Sequence, residues 1–238
     1  MATKKSAASA AAGEAEPKPV RRPTRACGDC GLRPCRWAGE DQYPKFCLTE
    51  NGDDGFAREV FQLYVDNPEY GEISRVSACI EGEFYGRLTR VEETLEFIKR
   101  MGYKKIGIAS CVGLMAETRT FVRILRARGY DAYVVGCKIG AIDKTEIGVP
   151  DGKKLNGGTG HESMCNPVMQ ARELARIGTD FNIVIGLCVG HDTLFLSESQ
   201  APTTVMIVKD RVLGHNPVQA LYTADSIYSR FKKELNVK

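Results

Sequence analysis

Nowhere in the 238 residues does an apolar run approach the roughly 18 residues of a membrane span, so the chain reads as having no membrane partner. No secretory leader is expected either. The opening, MATKKSAASAAAGEAEPKP, has early lysines but only Ala and Ser where a signal peptide carries a Leu-rich stretch, and Glu follows at once. Residues 1–25 read instead as a disordered tail on a cytoplasmic protein. A basic face on the folded part is also absent. The tail holds six basic side chains against Glu14 and Glu16, a net of +4, while the whole chain carries only +3. The remainder is therefore close to neutral at −1, which argues against a nucleic-acid surface. No G-x-x-x-x-G-K-[ST] follows a predicted strand, so GGTG at 157–160 is not a phosphate loop.

Cysteine, by contrast, is abundant, at nine residues. In a reducing compartment such usage points to metal or redox chemistry rather than to disulfides. At 43% hydrophobic and 26% charged, the rest has the composition of an ordinary globular protein, sized for one medium domain with an appendage.

The appendage is ACGDCGLRPCRWAGEDQYPKFC, which begins at Ala26 and ends at Cys47. It lacks apolar periodicity, so its fold needs a cross-link. Cys27, Cys30, Cys35 and Cys47 are spaced C-x2-C-x4-C-x11-C, which suits four-thiolate ligation. Zinc more often takes two C-x2-C pairs, and a [4Fe–4S] cluster accepts varied spacings, so both occupants stand. A module is thus expected over 26–50 and a helical connection over 51–103, with helices near 54–67 and 85–101 and a stop at Pro68.

From 104 the pattern alternates. Strands are expected at 104–110, 131–137, 182–188 and 203–209, and helices at 115–129, 166–177, 191–199 and 216–234. Strands alternating with helices make βαβ units. Residues 104–238 should therefore form an α/β domain, a doubly wound (Rossmann- or flavodoxin-like) parallel sheet of about four strands. Ligands bind such sheets at the carboxyl ends of the strands. There the sequence places Cys111, Cys137 and Cys188, each just where an apolar run ends, two of them in a repeated Cys-Val-Gly. A second echo, Asn-Pro-Val after Cys165 and after His215, reads as two helix starts with Asn as N-cap and Pro first. Cys165 and His215 then precede helix N-termini, where the dipole favours a thiolate or an anion.

Any one of these thiols alone is an ordinary strand-end cysteine. Four of them, Cys111, Cys137, Cys165 and Cys188, on one edge point to a shared metal or cluster, with separate thiols or a redox pair as the competing reading. His191 and His215 are the candidates for moving a proton, with Asp192 as an orienting carboxylate, although a satisfied polar histidine is the commoner case. His161 is a weaker candidate. The long loop 138–164 reads as a lid whose Lys138, Lys144, Lys153 and Lys154 meet an anionic substrate, or as a plain solvated loop. Cys79 reads as an ordinary helix residue.

With both Cys-Val-Gly phrases, the CNP helix start, the block GLCVGHD…VKDRVLGHNPV and the CADCG-like opening at Cys27, Cys30 and Gly31 in view, the chain resembles a known family. It is a bacterial and archaeal family of cysteine-rich proteins of unknown function, described as metal-binding, and the likeness spans 26–225. The resemblance implies metal ligation by Cys27, Cys30, Cys35, Cys47, Cys111, Cys137, Cys165 and Cys188, and it implies no particular reaction. The expected function is an iron–sulfur protein for redox or sulfur chemistry, with a small anionic molecule or a redox protein as partner. The alternative is a non-enzymatic zinc module, metal carrier or sensor.

Overall fold

The computed structural model describes residues 26–37 and 43–233. The tail expected over 1–25 therefore lies outside the described residues. The chain divides into two compact units, Met1–Asn67 and Pro68–Lys238.

In the first unit, two single-turn 3-10 segments (Cys27–Asp29 and Pro34–Arg36) carry two of the cysteines, Cys27 and Cys35, and Cys30 directly follows the first segment. Pro34 is the one buried residue of 26–50 among those described. Helix α1 (Asp54–Asp66) follows, capped by the Asp53 carboxylate, which accepts from the Phe56 N–H.

In the second unit, α2 (Pro68–Phe84) opens where the sequence reading sees only a stop. Pro68 ends one helix and occupies the first position of the next, where its missing N–H costs nothing. Helix α3 (Arg90–Met101) starts later than expected because Thr89 and Glu92 form a reciprocal capping box, a signal present in the sequence as T-x-x-E.

The α/β part follows the expected alternation: β1 (Lys105–Ser110), α4 (Met115–Ala127), β2 (Asp131–Gly136), α5 (Pro167–Ile177), β3 (Phe181–Ile185), α6 (His191–Glu198) and β4 (Thr203–Ile207). All strand pairs are parallel, in the order β2-β1-β3-β4, so the fold is a Rossmann-like α/β sheet. β1 and β3 are central and almost wholly buried, as continuous apolar runs in parallel sheets should be. Right-handed crossovers put α4 on one face and α5 with α6 on the other, because the chain reverses direction between β2 and β3. The core gathers Ile106, Ile108, Leu125, Leu174, Ile183 and Phe195, all essentially sealed from solvent.

The end of the chain departs from expectation. In place of a helix over 216–234 there is only α7 (Val218–Tyr222) and a 3-10 turn at Ser229–Lys232. Leu221, Tyr222 and Ile227 stay exposed, so no apolar face is buried to hold a longer helix, and such burial is what stabilises most helices. Residues 234–238 lie outside the described residues.

Candidate functional site: the thiol edge of the sheet

The order β2-β1-β3-β4 makes the junction of β1 and β3 the point where winding reverses, the usual ligand crevice of such sheets. Two cysteines flank it. Cys111 follows β1 directly, and its N–H donates to the Ile185 carbonyl of β3 at 3.1 Å, so its backbone is fixed by the sheet. Cys188 arrives by another route. β3 stops at Ile185, and Gly186 takes φ +63°, a conformation that glycine adopts freely. A Cβ at Gly186 would stand 1.9 Å from Leu114 Cδ1, so both shape and dihedral require glycine. The turn carries Cys188 three residues past the strand, half-buried at the start of α6.

Cys137 directly follows β2 and is 2% exposed. Cys165 stands before α5, where Asn166 is the cap, its side chain accepting from the Met169 N–H at 3.0 Å. The Asn166 N–H donates to the Cys137 carbonyl at 2.7 Å, holding the two segments side by side. Below them, buried Gln170 donates from Nε2 to the carbonyls of Val135 (2.6 Å) and Ser110 (3.2 Å), lacing α5 to the ends of β2 and β1. Sequence reasoning missed Gln170, whose only signal is a polar residue on the apolar face of a helix. The result is a contact between thiols: Cys137 Sγ and Cys165 Sγ lie 3.8 Å apart.

Each edge sulfur has its own donor or cation. The Val112 N–H donates to Cys137 Sγ at 3.4 Å, Lys209 Nζ to Cys111 Sγ at 3.3 Å, and Arg211 to Cys188 Sγ at 2.8 Å. Lys138 and His191 act on Cys165. The hydrogen bond shared with Cys137, then the charges of Lys138 and His191, pull Cys165 down to about 5 against the opposing effect of burial. Cys137 moves the other way, raised by the same contact and by burial. The shared contact thus favours the thiolate form of Cys165 over that of Cys137.

The four edge thiols are not gathered equally. Cys137 and Cys165 touch, Cys111 is close enough to act on Cys137 electrostatically, and Cys188 pairs with Arg211. Among the described residues, no group of three or more Cys, His, Asp or Glu side chains is drawn together as a metal cage. That statement includes the N-terminal set. Cys27 and Cys35 are exposed, Cys30 Sγ accepts from the Arg33 N–H at 3.4 Å, and backbone N–H groups of Glu50 and Thr49 lower Cys47. All nine cysteines are free thiols.

The histidines divide. His191 opens α6 beside Cys165. His215 takes φ +68°, and its Nδ1 accepts from the Asp210 N–H at 3.1 Å while its own N–H returns to the Asp210 carbonyl. Asn216 does not cap α7; Pro217 holds that position. The Asp192 carboxylate accepts from the Thr193 N–H at 2.8 Å, a local contact that orients neither histidine.

The loop 138–164 is a tied structure, and most of its lysines are turned inward. Buried Lys154 pairs with Asp143 (2.9 Å) and Asp151 (2.8 Å), Lys144 with Glu162, and Lys138 donates to the Ser163 carbonyl. His161 lies 3.4 Å from Asp143 and hydrogen-bonds Ser163 Oγ. These pairings hold Asp143 and Glu162 below the usual carboxylate range. A cavity of about 730 Å³ lies elsewhere, lined by α2 and α3 residues with Phe181 and Thr203, the first residues of β3 and β4, and it contains no cysteine or histidine. Among the described residues no helix is long and apolar enough to cross a membrane.

Residues 47–206 match a family model described as "Protein of unknown function (DUF1847)". An uncharacterized protein of Methanocaldococcus jannaschii is 52% identical over 197 residues, covering 83% of this chain and 93% of that protein. No solved structure matches. The matched stretch contains all four edge cysteines and Cys47, while Cys27, Cys30, Cys35 and His215 fall outside it.

Proposed function

The chain belongs to this family of unknown function, whose description names no reaction, and we propose its role from the chemistry of the edge. The thiol edge is a soft-metal centre that serves redox or sulfur chemistry on a small anionic molecule in the cytoplasm. Cys137 and Cys165 would hold the metal, with Cys111 and Cys188 as the adjacent thiols. The observation that carries this reading is that each of the four edge sulfurs has its own N–H or cationic partner. Such a shell stabilises thiolates and favours an anionic centre, which an iron–sulfur cluster such as [4Fe–4S] is. When bound, the cluster would supply electron transfer or a sulfide-accepting iron. His191, beside Cys165, is the better placed of the two histidines to move a proton there.

Zinc is the second reading, and the sulfur pair favours it. Zinc–sulfur bonds of about 2.3 Å at tetrahedral angles put two sulfurs about 3.8 Å apart, the separation of Cys137 and Cys165. A [4Fe–4S] cluster takes one thiolate per iron and needs its sulfurs farther apart. The N-terminal four, Cys27, Cys30, Cys35 and Cys47, form a structural site under either reading. Their segment has almost no core, and a ligated metal would replace one.

The test is anaerobic purification of the full chain, with assay of iron, zinc and acid-labile sulfide. Brown protein with sulfide that is lost in Cys137→Ala and Cys165→Ala supports the cluster. Colourless protein whose zinc falls by one ion per chain in the same variants supports the second reading. Metal content that is nil, or unaltered by both substitutions, overturns the edge as a metal centre.

A further inference from the structure

The contact between Cys137 and Cys165 has a use that goes beyond metal ligation, because it is a property of the thiols when no metal is held. We propose that these two side chains form a dithiol centre that exchanges with low-molecular-weight disulfides, Cys165 being the attacking sulfur and Cys137 the resolving one.

Three observations carry this. The sulfurs are already in contact at 3.8 Å, while a disulfide needs about 2.05 Å. The hydrogen bond from the Asn166 N–H to the Cys137 carbonyl, at 2.7 Å, keeps the two backbones adjacent, so the side chains stay within reach of each other. Access differs between the two. Cys137 is 2% exposed beneath the edge, whereas Cys165 is half-open at the mouth of α5, so an incoming disulfide reaches Cys165 first. The other two edge thiols are engaged separately, Cys111 with Lys209 and Cys188 with Arg211.

The chemistry balances as follows. The Cys165 thiolate attacks one sulfur of the disulfide RSSR; a Cys165–SR bond forms, the S–S bond of RSSR breaks, and the first RS⁻ leaves with the Cys137 proton as RSH. Cys137 Sγ then attacks Cys165 Sγ; the Cys137–Cys165 bond forms, Cys165–SR breaks, and the second RS⁻ departs. Two electrons pass from the protein to the small disulfide. Run in reverse, the oxidised centre accepts electrons from a thiol.

The test uses the full chain, treated with chelator and kept anaerobic, exposed to oxidised glutathione and mapped by peptide mass spectrometry. Wild-type protein should give the Cys137–Cys165 disulfide, and Cys137→Ser should accumulate one glutathione per chain on Cys165. In Cys165→Ser, oxidation of Cys137 should slow by about tenfold or more, and Cys188→Ser should leave the wild-type product unchanged. A first-formed disulfide that involves Cys111 or Cys188, or equal labelling of all four edge thiols, overturns the proposal. The wild-type map needs no variant to fold. Because it is read without metal, its outcome is independent of whether the metal assay succeeds.

Discussion

Two sets of four cysteines occupy this chain, and they are built on opposite principles. At the sheet edge the scaffold comes first. Cys111 and Cys137 directly follow strands of the sheet, Cys165 sits beside a capped helix, and each sulfur has a partner before any ligand arrives. In the segment 26–47 the thiols come first and the scaffold is nearly absent, with Pro34 alone buried among its described residues. Equal numbers of thiols therefore do not mean equivalent sites. The edge is preorganised by the sheet, and the N-terminal set has almost no buried scaffold of its own among its described residues.

Metal removal should break this comparison most visibly. Structural thiolate sites supply about 10 kcal/mol of folding free energy, so chelation, or Cys30→Ser, should leave 26–47 open to protease while the α/β unit stays folded. Equal protection of 26–47 before and after chelation would place the two sets on the same footing.

The scaffold has its own weak point at Gly186. An alanine there meets Leu114 Cδ1 at 1.9 Å in a left-handed backbone, so Gly186→Ala should cost about 2–4 kcal/mol in denaturant unfolding. Metal held by the N-terminal set should not change. A loss under about 0.5 kcal/mol would show that the β3–α6 turn does not define the edge.

The Asn-Pro-Val echo sharpens the contrast within the second unit. Asn166 caps a helix and Asn216 does not, so Asn166→Ala should lose about 1 kcal/mol. Asn216→Ala should be neutral in the same thermal melt. Equal losses would mean that the two echoes serve alike.

The smallest effect is local and appears in acid. Lys154 and neighbouring N–H groups depress Asp143, and Lys144 depresses Glu162. A depressed carboxylate gives stability that is fully present above its unfolded value of about 3.9–4.3 and fades as pH falls below it. Relative to their intrinsic rates at each pH, amides of 138–164 should therefore gain in exchange at pH 3 over pH 6, with the strands unaffected. In Asp143→Asn that acid-induced gain should shrink, and a loop equally protected at both pH values would refute the linkage.

Much of this was legible in the sequence. Apolar runs and helical periodicity identify all four strands and the helices between them, and in central β1 and β3 burial on both faces leaves that signature. The cap at Asn166 and the strand-end positions of Cys111 and Cys137 follow from local rules. Other features were not legible. The pairings within 138–164, such as Lys154 with Asp143 and Lys144 with Glu162, are among them, because they exist only once the loop folds on itself. The C-terminal helix failed because its apolar residues have no surface to cover.

By itself, then, the sequence determined the sheet, its parallel winding and the delivery of four cysteines toward one edge, because each follows from period, burial and local caps. Only the tertiary structure decided which thiols touch. Lys209 reaches Cys111 across 98 residues and Arg211 reaches Cys188 across 23. Cys137 meets Cys165 across a 28-residue separation. Distances over such spans are set by strand order and by the turn at Gly186, and no local pattern encodes them. A repeated Cys-Val-Gly thus gives one sulfur bonded by a lysine, next to the touching pair, and another bonded by an arginine.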